Sequence, residues 1–248
     1  MTRLVNAARY LTILPIPGAR TAHAGPGASA AWFPVVGLAI GILLAVVDRL
    51  ASAVFVPLLG ALVTLTVWKL VTGGLHLDGL ADCFDGLLGR DPAHRLAIMH
   101  DSRIGAFGAT GLVLLLLLTI GAVSGIEPRA HTGVLVAAPV VGRAMPPIIG
   151  RIFAAPGPGH GASFRADLGT SAPIVAAIFA VLVTVVMMGS AGVVALLLAP
   201  SAALAWAALM ARRLGGVSGD VHGAVVELSE LVVLLTAAAA HPAPIGPR

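Results

Sequence analysis

The sequence predicts an all-α, polytopic integral membrane helix bundle, and three observations carry that prediction. Of 248 residues, 58% are hydrophobic and 10% are charged, where a soluble domain carries about a quarter charged. Several nearly uncharged runs reach the roughly 20 residues that a membrane-spanning helix needs. The basic residues are also distributed unevenly between alternate connections, as the positive-inside rule expects of a multi-pass chain.

Composition also excludes some functions. A pI near 10.5 invites a nucleic-acid partner, but net charge is only +4 and no dense Lys/Arg tract exists to neutralise phosphates. No nucleic-acid partner is expected. The single cysteine, Cys83, rules out an internal disulfide and any multi-thiolate metal site within one chain.

Taken in order, Met1–Arg20 places Leu4, Val5, Ala8 and Leu11 at helical spacing with Arg3 and Arg9 beside them. That suits a basic amphipathic helix at the membrane interface. Pro15 and Pro17 break the apolar core that a secretory signal would need. Ala28–Val47 and Leu50–Val71 follow as the first two spans. The uncharged stretch Ile104–Ile126 is the cleanest span, and Thr132–Gly150, which holds Arg143, is the fourth. Residues 168–211 are long enough for two spans with a break near Gly189-Ser190, and His222–Ala240 is the last. Seven spans are expected, with six the nearest alternative, in one membrane domain over residues 1–248. With the N-terminus cytoplasmic, only Arg49, Arg129 and Arg248 fall outside and Arg143 within a span. This orientation puts residues 72–103, 151–167 and 212–220 on the cytoplasmic face.

Residues 72–108 break the apolar pattern with Asp78, Asp82, Asp85, Asp91 and Asp101. Asp78, Asp82 and Asp85 are spaced i, i+4, i+7, within about 60° on one helical face. Carboxylates that close repel unless protonated or bound to a cation, and an oxygen-only donor set favours Mg²⁺ or Mn²⁺ over zinc. Gly73, Gly74, Gly79 and Gly86 allow backbone amides to approach an anion, while Arg90, Arg95 and Arg103 can grip phosphate oxygens. Asp101-Ser102-Arg103 repeats the acid–base pairing just before a span. The pattern describes a metal–phosphate site; a solvated acidic face and an ion relay are the competing readings. His76 is either a ligand or base, or a plain hydrogen-bonding residue. A second acidic set, Asp220, Glu227 and Glu230, follows Gly215, Gly216 and Gly219. Its last two acids lie in an apolar run and are expected to face the bundle interior.

TGGLHLDGLADCFDG, IMHDSRIGAFG and LGGVSGDVHGAVVELSELVVLL, with LTILPIP and WFPVVGLAIG before them, resemble the signature blocks of the cobalamin synthase family. The resemblance runs from about residue 11 to 238. It implies a Mg²⁺-dependent enzyme of the bacterial inner membrane, with its site facing the cytoplasm. Such an enzyme transfers the adenosylcobinamide-phosphate group of adenosylcobinamide-GDP to α-ribazole or its 5′-phosphate, releasing GMP. By that resemblance Asp78, Asp82 and Asp85 hold Mg²⁺ and the diphosphate, with Asp220 completing the metal shell. Asp82 or Asp85 is the base on the attacking hydroxyl, and Arg103 serves catalysis at the phosphate. His76, Arg90, Asp101, Ser102, Gly219 and Glu227 are the substrate-binding candidates. The bilayer, other enzymes of nucleotide-loop assembly and a second copy of the chain are the expected partners. Cys83, His100, Val217-Ser218 and His222 depart from the family's usual residues without removing a carboxylate. Two other classes compete. A CDP-alcohol phosphotransferase wants Ala-Arg where Asp82 follows Ala81, and a cation-coupled transporter usually shows an internal repeat that is not visible here.

Overall fold

The computed structural model describes residues 2–17 and 25–244. Arg20 and Arg248, which count in the charge asymmetry, lie outside the described residues. The architecture is all-α, and a single antiparallel bridge between Ile126 and Pro242 is the only β pairing among the described residues. The helices are α1 (Thr2–Leu11), α2 (Phe33–Ser52), α3 (Pro57–Val71), α4 (Leu75–Gly86) and α5 (Pro92–Met99). They continue with α6 (Ala106–Gly125), α7 (Pro128–Ile152), α8 (His160–Ala166), α9 (Ala172–Leu214) and α10 (Gly219–Ala240).

The centre of the bundle is α7, buried along nearly its whole apolar length. Its neighbours come close because glycines face it. A Cβ on Gly37 of α2 would lie 2.5 Å from the Pro139 carbonyl oxygen, and one on Gly41 would lie 2.6 Å from the Val136 Cα. Small residues at such crossings are how helices pack where lipid supplies no hydrophobic drive. The lipid side is built differently. On α6 and α9, Val113, Leu114, Leu117, Val186 and Leu197 are all exposed, as expected of surfaces solvated by acyl chains.

Five described helices are long and apolar enough to cross a membrane, or six if α3 and α4 count as one span bent by 90°. Seven crossings require α3 and both halves of α9 to span separately. The 43 residues of α9 are interrupted at Gly189, whose φ of 56° and ψ of −129° are not helical. A Cβ on Gly192 would sit 2.5 Å from the Thr184 carbonyl oxygen, a separation of about 12 Å in a continuous helix. The chain therefore folds back at Gly189. Ala172, Ala176, Ala180, Ala195, Ala199, Ala203 and Ala207 form a buried stripe at four-residue spacing along the two arms.

The α3–α4 elbow positions the acidic residues. Gly73 and Gly74 have φ of 62° and 68°, left-handed values that cost other residues about 1 kcal/mol or more. Two such residues in succession end α3 and send α4 off at a right angle. Beside this elbow lies α1, which packs on the 3-10 turn Pro26–Trp32 and on α2 and buries Ala7 and Leu11. The Ile13 amide donates to the Val71 carbonyl (2.9 Å), and the Arg9 guanidinium holds the Ile16 carbonyl at 2.7 and 3.0 Å.

Candidate active site

Two cavities meet at α4. The larger, about 850 Å³, is lined by Asp78 and Asp82 of α4, Arg9 and Tyr10 of α1, the elbow, and His100–Arg103 before α6. The smaller, about 320 Å³, is lined by His76, Asp78 and Gly79 on one side and by Gly219, Asp220, His222 and Gly223 of α10 on the other. Asp78 borders both. The junction depends on the α4–α10 crossing, where a Cβ on Gly79 would stand 2.7 Å from the Asp220 carbonyl oxygen. Gly223 faces the His76 Cα in the same way, at 3.3 Å. Ser218 caps α10, accepting from the Val221 amide (3.4 Å) and donating to Asp220 Oδ2 (3.2 Å).

The third acid of the triplet does other work. Asp85 Oδ2 accepts from the Gly105 amide at 2.7 Å, and Oδ1 from the Gly108 amide at 2.8 Å. These amides open α6, where a negative charge is favoured by the helix dipole and satisfies donors left without intrahelical partners. Asp85 thus caps α6 from another helix. It shares a face with Asp78 but stands about 10 Å further along the axis, beyond the cavity.

Glu227 and Glu230 are likewise engaged. Lys69 Nζ lies 2.5 Å from Glu227 Oε2 and 3.7 Å from Glu230 Oε2, and Arg143 pairs with Glu230. All four side chains are buried or nearly so, and they join α3, α7 and α10 inside the bundle.

The comparisons with known proteins now bear on this arrangement. The family model described as cobalamin-5-phosphate synthase matches residues 3–238. An adenosylcobinamide-GDP ribazoletransferase of Brevibacillus brevis is 36% identical over 95% of this chain and 97% of that protein. One from Pseudomonas entomophila is 41% identical over 92% of this chain and 95% of that protein. One from Bradyrhizobium diazoefficiens is 38% identical, covering 94% and 92%. The chain belongs to the cobalamin-5-phosphate synthase family. No solved structure matches it.

As a member of that family the chain is a transferase of cobalamin biosynthesis, and its expected site residues can be placed. Asp78, Asp82, Asp101, Ser102 and Arg103 border the larger cavity, and His76, Asp78, Gly219 and Asp220 the smaller. Arg90 is exposed before α5 and borders neither. Glu227 sits in the ion-pair network, and Asp85 under α6. Arg103 forms a paired contact with Asp101, at 3.1 Å through Nε and 2.7 Å through Nη2. That guanidinium holds the Asp101 carboxyl down to about 2. Sequence reasoning missed Arg9 and Tyr10, whose only signal was a basic amphipathic pattern that reads as membrane surface.

Magnesium passes a test of donor chemistry, though no protein cage is formed. Among the described residues no three His, Cys, Asp or Glu side chains are gathered to hold a metal. Asp78, Asp82 and Asp220 supply oxygen donors, and none of them forms a salt bridge among the described residues. Mg²⁺ is usually held by one or two carboxylates together with substrate phosphates, and this wall offers the carboxylates.

Proposed function

We propose that the two cavities form the site of a Mg²⁺-dependent transfer of the adenosylcobinamide-phosphate group from adenosylcobinamide-GDP to α-ribazole or its 5′-phosphate. The observation that carries the reading is Asp78. It stands on the shared wall of both cavities, beside Asp82 and Asp220, and without a cationic partner among the described residues. Two reactants in adjoining cavities would meet there.

In this reading the acceptor's hydroxyl oxygen attacks the cobinamide-side phosphorus. A new P–O bond forms, the P–O bond to the bridging oxygen breaks, and GMP leaves with that oxygen. Asp78 and Asp82 would hold Mg²⁺ together with diphosphate oxygens, and the ion would supply positive charge against the diphosphate. Both oxygens of Asp85 are occupied by amides, so Asp82 is the better placed of the two expected bases to take the hydroxyl proton. Arg9 and Arg103, which line the larger cavity with the acids, would receive phosphate oxygens, where arginine's planar fork suits them. Asp101 orients Arg103. Positioning and charge complementarity are the main sources of rate in phosphoryl transfer. The site is proposed to face the cytoplasm of a bacterial inner membrane.

The test is GMP release by the purified protein. Release is expected only with adenosylcobinamide-GDP, α-ribazole and Mg²⁺ all present, and EDTA should abolish it until Mg²⁺ is restored. GMP release without divalent cation would overturn the metal assignment. Flux of a cation or substrate into vesicles without turnover would overturn the transferase.

A further inference from the structure

The smaller cavity carries features that the transfer chemistry does not by itself explain. Its far walls are apolar, with Leu11, Phe33, Pro146 and Phe164. Aromatic rings run along it in series. Tyr10 stacks on Phe33 with centroids 5.7 Å apart, Phe33 meets Phe164 at 6.0 Å, and Phe164 meets the His222 imidazole at 5.0 Å. Two of the histidines that line it each carry a polar atom without a partner among the described residues. His76 and His222 are 4% and 9% exposed, and the Nδ1 of each is buried with no hydrogen bond among the described residues. A buried polar atom left unpaired is costly, and two on one cavity point to a ligand that supplies the missing bonds.

Size and charge narrow the ligand. A cavity of about 320 Å³ is at the small end of ligand pockets, which run from about 300 to 1,000 Å³. It suits a nucleoside and not a corrin ring. The acids Asp78 and Asp220 at its edge can accept from a hydroxyl, which donates to a carboxylate. We propose that this cavity is the acceptor pocket, taking the flat heteroaromatic base of α-ribazole against its aromatic and apolar wall with the ribose hydroxyl at the Asp78–Asp220 edge. His76 and His222 hydrogen-bond the nucleoside, and the larger cavity receives the diphosphate donor. The assignment rests on the transferase reading above.

Kinetics with both substrates varied tests it in His222→Phe and His76→Leu. Each variant removes an atom that bonds nothing among the described residues, so the melting temperature is expected to hold or rise. The KM for α-ribazole is expected to rise about tenfold, the scale of one lost hydrogen bond, with the KM for adenosylcobinamide-GDP unchanged. In the wild-type protein without donor, equilibrium dialysis should show α-ribazole binding that GMP does not displace. That arm stands even if a variant fails to fold. A shift in the donor's KM instead, or displacement of α-ribazole by GMP, overturns the assignment alone. No GMP release from the wild type with all components present overturns the transferase reading as well.

Discussion

Asp82 and Asp85 are three residues apart on one helix, yet their surroundings separate their roles. Asp82 opens onto the larger cavity with no cationic partner among the described residues, while Asp85 is buried with both oxygens held by amides at the start of α6. Asp82→Asn is expected to cut turnover by about 100-fold or more, within the range for a lost acid–base group, with the melting temperature kept. Near-normal activity in that variant would sink the metal-site reading. Asp85→Asn should do the reverse in stability, losing about 1–2 kcal/mol as a helix cap is weakened, seen as a lower melting temperature. Angular periodicity made the shared face of Asp78, Asp82 and Asp85 legible from the sequence. Height along the axis was not legible as a difference in role, because it matters only once α6 is known to begin beside Asp85. The Asp101–Arg103 pair has its own pH consequence. With the Asp101 carboxyl held down to about 2, it stays ionised as pH falls from neutral until that value is approached. Any activity change near neutral pH must then come from other groups.

At the scale of helices, apolar run length and charge placement gave the element pattern closely. The break expected near Gly189-Ser190 is the fold-back observed at Gly189. What pattern could not give was partnership. Glu227 and Glu230 were expected to face the interior, and they do, but Glu227 meets Lys69, 158 positions away in the chain. Nothing local to LSELVV names Lys69 or Arg143 as its neighbour. The network makes a sharp prediction. Arg143→Met alone leaves Glu230 buried without its closest partner and should cost about 3–5 kcal/mol, measured by thermal or denaturant unfolding in detergent. Arg143→Met combined with Glu230→Leu should recover much of that loss, since a matched apolar pair carries no stranded charge. Equal destabilisation in the single and double variants would refute the account.

For the whole molecule, the acidic motif, the loop before α6 and the start of α10 converge around α4, as one shared site on one face requires. The two sequence-distant acid sets do meet, through Asp78 and Asp220 at the Gly79 crossing, although Glu227 does not join them. The contribution of α1 was not visible in the sequence, because an amphipathic helix that covers a cavity has the same pattern as one resting on lipid. Orientation in the membrane is open to direct measurement. Cysteines introduced as Arg90→Cys and Arg212→Cys, both at exposed positions, should react with an impermeant thiol reagent only from the cytoplasmic side. The buried Cys83 should give little background. Reaction of either from outside would separate the two segments and end the case for a cytoplasm-facing site.

The right-angled elbow after α3 has a consequence for the surrounding lipid. Fifteen residues of α3 rise about 22 Å, short of the roughly 30 Å of a bilayer's hydrocarbon core. Were α3 to cross as a span of its own, with α4 turned across its end, the membrane would thin or the acidic wall would sit below the headgroups. A recessed wall would bring water inward beside α1. Turnover in vesicles of graded acyl-chain length should then fall as the bilayer thickens, making lipid length a control on the enzyme.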